Sequence, residues 1–191
     1  MPLTELDPVA ALVVIDLQKG IVPMPLAHPG AEILARAAEL ARAFRQRGLP
    51  VVLVNVVGMA PGRTDSPRIN LADLPRTFAE LAPELDAQPQ DILISKKTVG
   101  AFQGTALDAE LRRRGVTQIF LAGISTSAGV ESTGRVAFDL GYNVVFVSDA
   151  MTDRTEEGHR HSTEKFFPRL GQVETTANVI TALQQGKAAA Q

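Results

Sequence analysis

The sequence predicts one α/β domain over residues 1–191, a three-layer doubly wound fold with a six-stranded, mainly parallel sheet flanked by helices. Two observations carry this expectation. Short, nearly continuous apolar runs rich in Val, Ile and Leu recur along the chain, as strands covered on both faces do. Between them lie amphipathic stretches that stop at a glycine, the residue that closes helices most readily. Strands and helices that alternate through right-handed crossovers build a parallel sheet.

In chain order, Ala10–Asp16 is the first expected strand and Ala31–Arg47, closed by Gly48, the first helix. Val51–Val57 is the second strand. Residues 58–90 then break the rhythm, with five of the twelve prolines (Pro61, Pro67, Pro75, Pro83, Pro89) plus Gly58 and Gly62. An insertion after a strand, at the edge where α/β proteins bind ligands, suits a lid or an oligomer contact. An irregular surface loop is the plainer alternative. Asp91–Ser95 is the third strand, Thr105–Arg114 a helix closed by Gly115, and Thr117–Gly123 the fourth strand. Gly129–Leu140, closed by Gly141, is the next helix, and Asn143–Ser148 the fifth strand. Asp153, with Glu156 three residues on, reads as the cap of a helix running to Phe167. A sixth strand at Gln172–Glu174 and a helix at Thr176–Gln184 complete the pattern, before a frayed tail at Lys187–Gln191.

Composition narrows the partners. Lys and Arg number 19 against 21 Asp and Glu, so no basic excess points to nucleic acid. Apolar stretches such as Val9–Ile15 and Leu49–Val57 are too short to span a bilayer, so no membrane partner is expected. Residues 1–10 lack the basic start and apolar run of a secretory leader, which makes a cytoplasmic location the default. The chain has no cysteine. That excludes disulfides, thiolate metal sites and a cysteine nucleophile, and leaves the redox compartment unread.

Three features fall just past the carboxyl ends of expected strands. Asp16 closes the first in VVIDLQKG, Lys96 follows the third in ILISKKTVGAF, and the turn Ile124–Gly129 follows the fourth in FLAGISTSAGVEST. In an open parallel sheet the ligand crevice lies at that edge. Singly, each has a plainer role: a turn aspartate, a solvated lysine, a tight strand-to-helix connection. Together they are complementary, because a lysine holds a carboxylate ionised and oriented while N–H groups at a helix start stabilise an oxyanion.

The stretch from KKTVGAF to VVFVSDA resembles the core of the isochorismatase-like, or cysteine hydrolase, superfamily. The resemblance rests on Lys96, Ala101 and Phe102, on Thr105 and Leu107, on Gly123, Thr126, Val130 and Thr133, and on the pairs Gly141–Tyr142 and Asp149–Ala150. Asp16 and Gln18 extend it toward the start, and only residues 58–90 fall outside it. It implies a six-stranded parallel sheet and a catalytic set of aspartate, lysine and cysteine. By motif position Asp16 and Lys96 take the first two roles, with Lys97 as the weaker register, and the cysteine position falls on Gly129. The implied oxyanion hole is formed by the amides of Ser125 and Gly129, with a cis peptide before Ser125. Gln18, Phe102 and Thr126 take substrate-binding places. Metal-binding members carry an Asp and two His from the second strand onward, whereas VVGMAPGRTDSPR has no histidine, so neither metal nor cofactor is expected. The resemblance also implies a homo-oligomer, a dimer or larger.

The expected function is therefore hydrolysis of a small molecule, at an amide or ureide C–N bond or an enol ether, without a cysteine nucleophile. The alternative is an inactive small-ligand-binding or assembly protein of the same fold. Ser125, Thr126 and Ser127 are candidate substitute nucleophiles with Asp149 and His159, but Gly123–Ser127 is no G-x-S-x-G elbow, and turn hydroxyls bonded to backbone are simpler. Gly123–Gly129 is no phosphate loop, since Val130 and Glu131 stand where Lys and Ser/Thr belong. Glu131, a candidate acid or base beside the crevice, lies one helical turn from Arg135 and pairs with it in the simpler reading. His159 and His161, two apart on a helix, face different ways and make a poor metal pair.

Overall fold

A computed structural model describes residues 3–65 and 73–185. Six strands form one sheet in the order β3-β2-β1-β4-β5-β6, and every neighbouring pair is parallel. The strands are β1 (Ala10–Ile15), β2 (Val51–Val56), β3 (Ile92–Lys96), β4 (Gln118–Ile124), β5 (Asn143–Thr152) and β6 (Gln172–Glu174). The helices are α1 (Gly30–Gln46), α2 (Leu107–Arg113), α3 (Glu131–Asp139), α4 (Glu156–Arg160) and α5 (Thr176–Gln185).

The apolar runs behave as their composition requires. Every residue of β1 and β4 is buried, because helices cover both faces of the central strands. Along β1, Ala10, Leu12 and Val14 pack into a core under α1 and α5, while Ala11, Val13 and Ile15 enter a second core under α2 and α3. That split is the two-residue period of a strand seen from its two sides. Phe44 meets Phe120 edge-on at 5.2 Å in the first core, and Phe146 stacks on Phe167 at 3.8 Å in the second.

Several boundaries differ from expectation: α2 starts at Leu107 and not Thr105, and α3 at Glu131 and not Gly129, because Thr126–Val130 forms a π turn first. β5 runs past Ser148 to Thr152, because its register on β4 shifts after Leu121↔Phe146 and resumes at Gly123↔Met151. The helix after β5 is capped by Thr155, whose Oγ1 accepts the Gly158 amide, and not by Asp153. It is also not one helix: α4 passes into a π turn, His161–Phe166, and a 3-10 turn, Phe167–Arg169.

Within the 58–90 insertion, residues 66–72 lie outside the described part. The carboxyl half is a strap laid across the exit of β1. Leu81 bridges Gln18, and the backbone of residues 78–82 bonds that of Leu17, Lys19 and Gly20. Leu85 is buried under α1, and the Arg45–Asp91 ion pair, 2.6 Å and largely buried, anchors the return to β3.

Candidate active site

The sheet order reverses between β1 and β4, and the chemistry-bearing residues meet at the carboxyl ends of the strands there. Asp16 leaves β1 with φ 54, a left-handed conformation that Asp accepts more readily than most residues. Lys96 ends β3, where alternation turns it inward and leaves Lys97 exposed. Its Nζ lies 2.7 Å from Asp16 Oδ2 and donates to the carbonyls of Thr98 and Val99 at 3.1 and 2.9 Å. Both side chains are nearly inaccessible, at 6% for Asp16 and 2% for Lys96, so the pair operates without the screening that makes surface pairs weak. Asp16 Oδ1 is buried and accepts no hydrogen bond from the described residues. Burial pushes the Asp16 carboxyl up to about 6, and the charge and hydrogen bond of Lys96 oppose that rise without cancelling it.

The third component is the turn after β4. Gly123 pairs with Ile15 across β1 and β4 with φ 122, and an added Cβ would sit 2.0 Å from the Ile15 carbonyl oxygen. The Ile124–Ser125 peptide is cis. Thr126–Val130 then winds as a π turn into α3, with the Ser125 carbonyl accepting from the amides of Ala128 and Val130. Gly129 is buried in this turn with no left-handed φ. A Cβ built on it would lie 3.5 Å from Asp16 Oδ2 and 3.0 Å from Ile15 Cγ2. Thr133 Oγ1 donates to the Gly129 carbonyl at 2.6 Å and accepts the Ala101 amide at 3.0 Å, which ties the turn to the segment after Lys96.

Asp16, Lys96 and Gly129 are thus brought together, with Ser125 four residues before Gly129 in the same turn. The other residues singled out by motif lie in supporting places. Gln18 is inaccessible; its Oε1 accepts the Val56 amide and its Nε2 donates to the carbonyls of Val56 and Phe78. Phe102 is buried against Tyr142, and Thr126 directs its hydroxyl to His159 Nδ1 at 2.9 Å. Glu131 is occupied by Arg135 and by the Ser162 hydroxyl. His159 points inward and His161 outward. Among the described residues no group of three or more His, Asp or Glu is arranged to hold a metal.

Two residues take roles that their sequence context does not reveal. The Asp153 carboxylate accepts the Ser127 amide at 2.6 Å and the Arg154 amide at 2.7 Å. His159 meets Thr126 on one side and the edge of the His28 ring, 4.9 Å away, on the other. Burial, then neighbouring His28, holds its imidazole below the usual range, so it is neutral near neutral pH. A cavity of about 470 Å³ lies beyond it, between α1 and residues 156–164, away from Asp16 and Lys96.

A doubly wound parallel sheet with a buried Asp–Lys pair facing a strand-to-helix turn defines an α/β domain with a charged site at its topological switch point. The isochorismatase domain family matches residues 10–178, and the chain belongs to that family, whose members are hydrolases. It is 41% identical over 182 residues to the uncharacterized isochorismatase family protein YecD of Escherichia coli O157:H7, covering 91% of this chain and 95% of that one. An isochorismatase family protein from Burkholderia thailandensis superposes with a TM-score of 0.91 at 44% identity, over 96% and 98% of the two chains. Ureidoacrylate amidohydrolase RutB of Agrobacterium fabrum is 36% identical over 102 residues, 51% of this chain and 45% of RutB. N-carbamoylsarcosine amidase from Thermoplasma acidophilum is similar over 88% of this chain and 96% of its own, at 26% identity and a TM-score of 0.72.

Proposed function

We propose that this chain hydrolyses a C–N bond of a small amide or ureide, with Asp16 carrying the proton and water as the nucleophile. The observation that carries the reading is the state of Asp16: buried, one oxygen fixed by Lys96, the other unspent, beside a glycine. Gly129 takes the place of the family's cysteine, so water and not a protein side chain supplies the nucleophile, and the unspent Asp16 Oδ1 is the atom that receives its proton. Asp16 removes a proton as the water oxygen attacks the carbonyl carbon. The amides of Ser125 and Gly129, in the turn that leads into α3, stabilise the oxyanion. The proton held by Asp16 then passes to the leaving nitrogen as the C–N bond breaks, releasing an amine and an acid. The substrates named for RutB and N-carbamoylsarcosine amidase, a ureido and a carbamoyl compound, support the choice of bond. Gln18 serves as a tie between the exit of β1 and β2, since its amide is spent on backbone.

Turnover of small amides and ureides by the wild-type chain, in a screen that also contains isochorismate, tests the reading. Ligand binding in the crevice with no turnover would instead support an inactive binding protein, the reading that the missing nucleophile favours. The pH profile separates the two kinds of proton chemistry. A base must be ionised, so kcat/KM should climb as pH rises through about 6. A fall across the same range would assign Asp16 as an acid, the role that enol-ether cleavage needs. Lys96→Met removes both influences that hold the carboxyl down, so the midpoint should move upward by about 1–3 pH units. An unmoved midpoint would show that Asp16 is not the titrating group.

The place given to Gly129 has its own measurement. Because the chain has no cysteine, Gly129→Cys introduces a single thiol whose thiolate absorbance reports only that position. The start of α3 and Lys96 both favour the anion, so its pKa should fall at least about one unit below that of a free cysteine, near 8.5. Lys96→Met in the same background should raise it again. An ordinary thiol, indifferent to Lys96, would mean that position 129 does not face the pair.

A further inference from the structure

We infer that Asp153 and His159 are positioning residues for the oxyanion turn, a role that rests on the reaction proposed above. The turn from Ser125 to Gly129 must present two amides to one oxygen, and a displacement of about 1 Å in such a site costs on the order of 100-fold in rate. Three elements hold it. From β4 it inherits the close approach of Gly123 to Ile15. From the side of Lys96 it is held by Thr133, which bonds both the Gly129 carbonyl and the Ala101 amide. The third attachment comes from the segment after β5, and neither group in it is used by the chemistry.

Asp153 is 5% exposed, and its two oxygens divide the work. Oδ1 accepts the amide of Arg154, fixing the carboxylate to its own backbone, and Oδ2 accepts the amide of Ser127 in the middle of the turn. A charged acceptor makes this the stronger kind of hydrogen bond. One residue earlier, Thr126 is inaccessible and its hydroxyl meets His159 Nδ1, so adjacent positions are held by side chain and by backbone. The start of α4 fits closely against the same turn: a Cβ added at Gly158 would lie 3.5 Å from both Ser127 Oγ and the Asp153 carboxyl carbon. Cap formation does not explain Asp153, because Thr155 performs that task. A metal does not explain His159, whose Nδ1 is committed to Thr126. What the two residues share is the turn.

Paired substitutions isolate the bonds from charge and bulk. Asp153→Ala and Asp153→Asn both remove the charge, but only alanine removes the acceptor. Thr126→Val keeps the buried shape and removes the hydroxyl that His159 holds, whereas Thr126→Ser loses the methyl and keeps the hydroxyl. In the Gly129→Cys background, the alanine and valine forms should raise the thiol pKa by about one unit over their asparagine and serine counterparts. In the otherwise wild-type chain they should lower kcat about 10- to 100-fold with KM little changed, and the conservative partners should recover most of it. Equal thiol pKa values within both pairs, with only the melting temperature moved, would reduce Asp153 and His159 to packing and overturn the inference. Should Asp153→Ala fail to fold, the threonine pair decides the outcome alone. Failure of the proposed reaction looks different, because then the wild-type chain turns over no amide or ureide while the alanine and valine forms still shift the Gly129→Cys thiol.

Discussion

Asp16→Asn should lower kcat by about 10²- to 10⁴-fold, the usual contribution of a positioned acid–base group, while the chain melts at or above the wild-type temperature at pH 7. The two effects share one cause. Ionised Asp16 sits where burial outweighs the help of Lys96, so its folded-state pKa, about 6, exceeds the ordinary 3.8. The folded protein therefore binds the proton more tightly than the unfolded chain does. Stability contributed by the protonated carboxyl is fully present below pH 3.8 and is lost as pH rises through about 6. A rise of that size corresponds to roughly 3 kcal/mol. Asparagine keeps the shape, the tolerance for left-handed φ and a carbonyl for Lys96, but has no proton to lose. The wild-type melting temperature should fall between pH 4 and pH 7 relative to that of the variant. Parallel melting curves for the two proteins would refute the argument, as would an Asp16→Asn enzyme of normal activity.

Gly123→Ala should be the most damaging single-methyl substitution in the chain, costing about 4 kcal/mol or more, or preventing folding altogether. The added carbon would meet the oxygen, nitrogen and carbonyl carbon of Ile15 at 2.0, 2.7 and 2.8 Å. These are backbone atoms of the central strand pair, so no rotamer change relieves the clash. Alanine at Gly48, Gly115 or Gly141 supplies the control. Those glycines also have positive φ, but nothing lies within 4 Å of the added carbon, so each should cost only about 1–2 kcal/mol. Urea unfolding of the four variants reads the series directly. A Gly123→Ala protein no weaker than the other three would show that β1 and β4 do not approach as closely as described.

Much of this molecule is legible in its residues because burial on both faces leaves a plain mark. Five strands are visible as apolar runs, with β6 (Gln172–Glu174) only weakly marked, and Asp16 and Lys96 stand out as complementary charges at the carboxyl ends of two such runs. What stayed hidden depended on contacts between distant segments. The end of β5 carries Ser148 and Asp149, which read as a strand terminus, yet a register shift against β4 lets pairing resume at Met151. Asp153 and Thr155 are both good caps by residue type, and only the placement of the 125–129 turn decides that Asp153 bonds outward while Thr155 caps α4. Gln18 belongs to the recognisable motif, but nothing local reveals that its amide is spent on Val56 and Phe78. The two π turns were equally unreadable, since each lasts little more than one turn, too short for its wider period to show in the apolar pattern.

The position of β1 in the middle of the sheet also sets the order in which the site can come into being. One flank of β1 pairs with β2 early in the chain, through Leu12 and Val51, but the other pairs with β4, where Ala10 meets Gln118. Contacts so distant in sequence carry the loop-closure entropy that slows the folding of parallel sheets. During synthesis Asp16 and Lys96 are therefore both available before the segment carrying Gly123 and Gly129 exists, and β1 waits with an unpaired edge until β4 is made. The site cannot be complete until β4 and the turn after it have been made. A chain arrested before β4 would hold Asp16 and Lys96 without the oxyanion turn, and would expose an apolar strand edge of β1 to pairing with other chains.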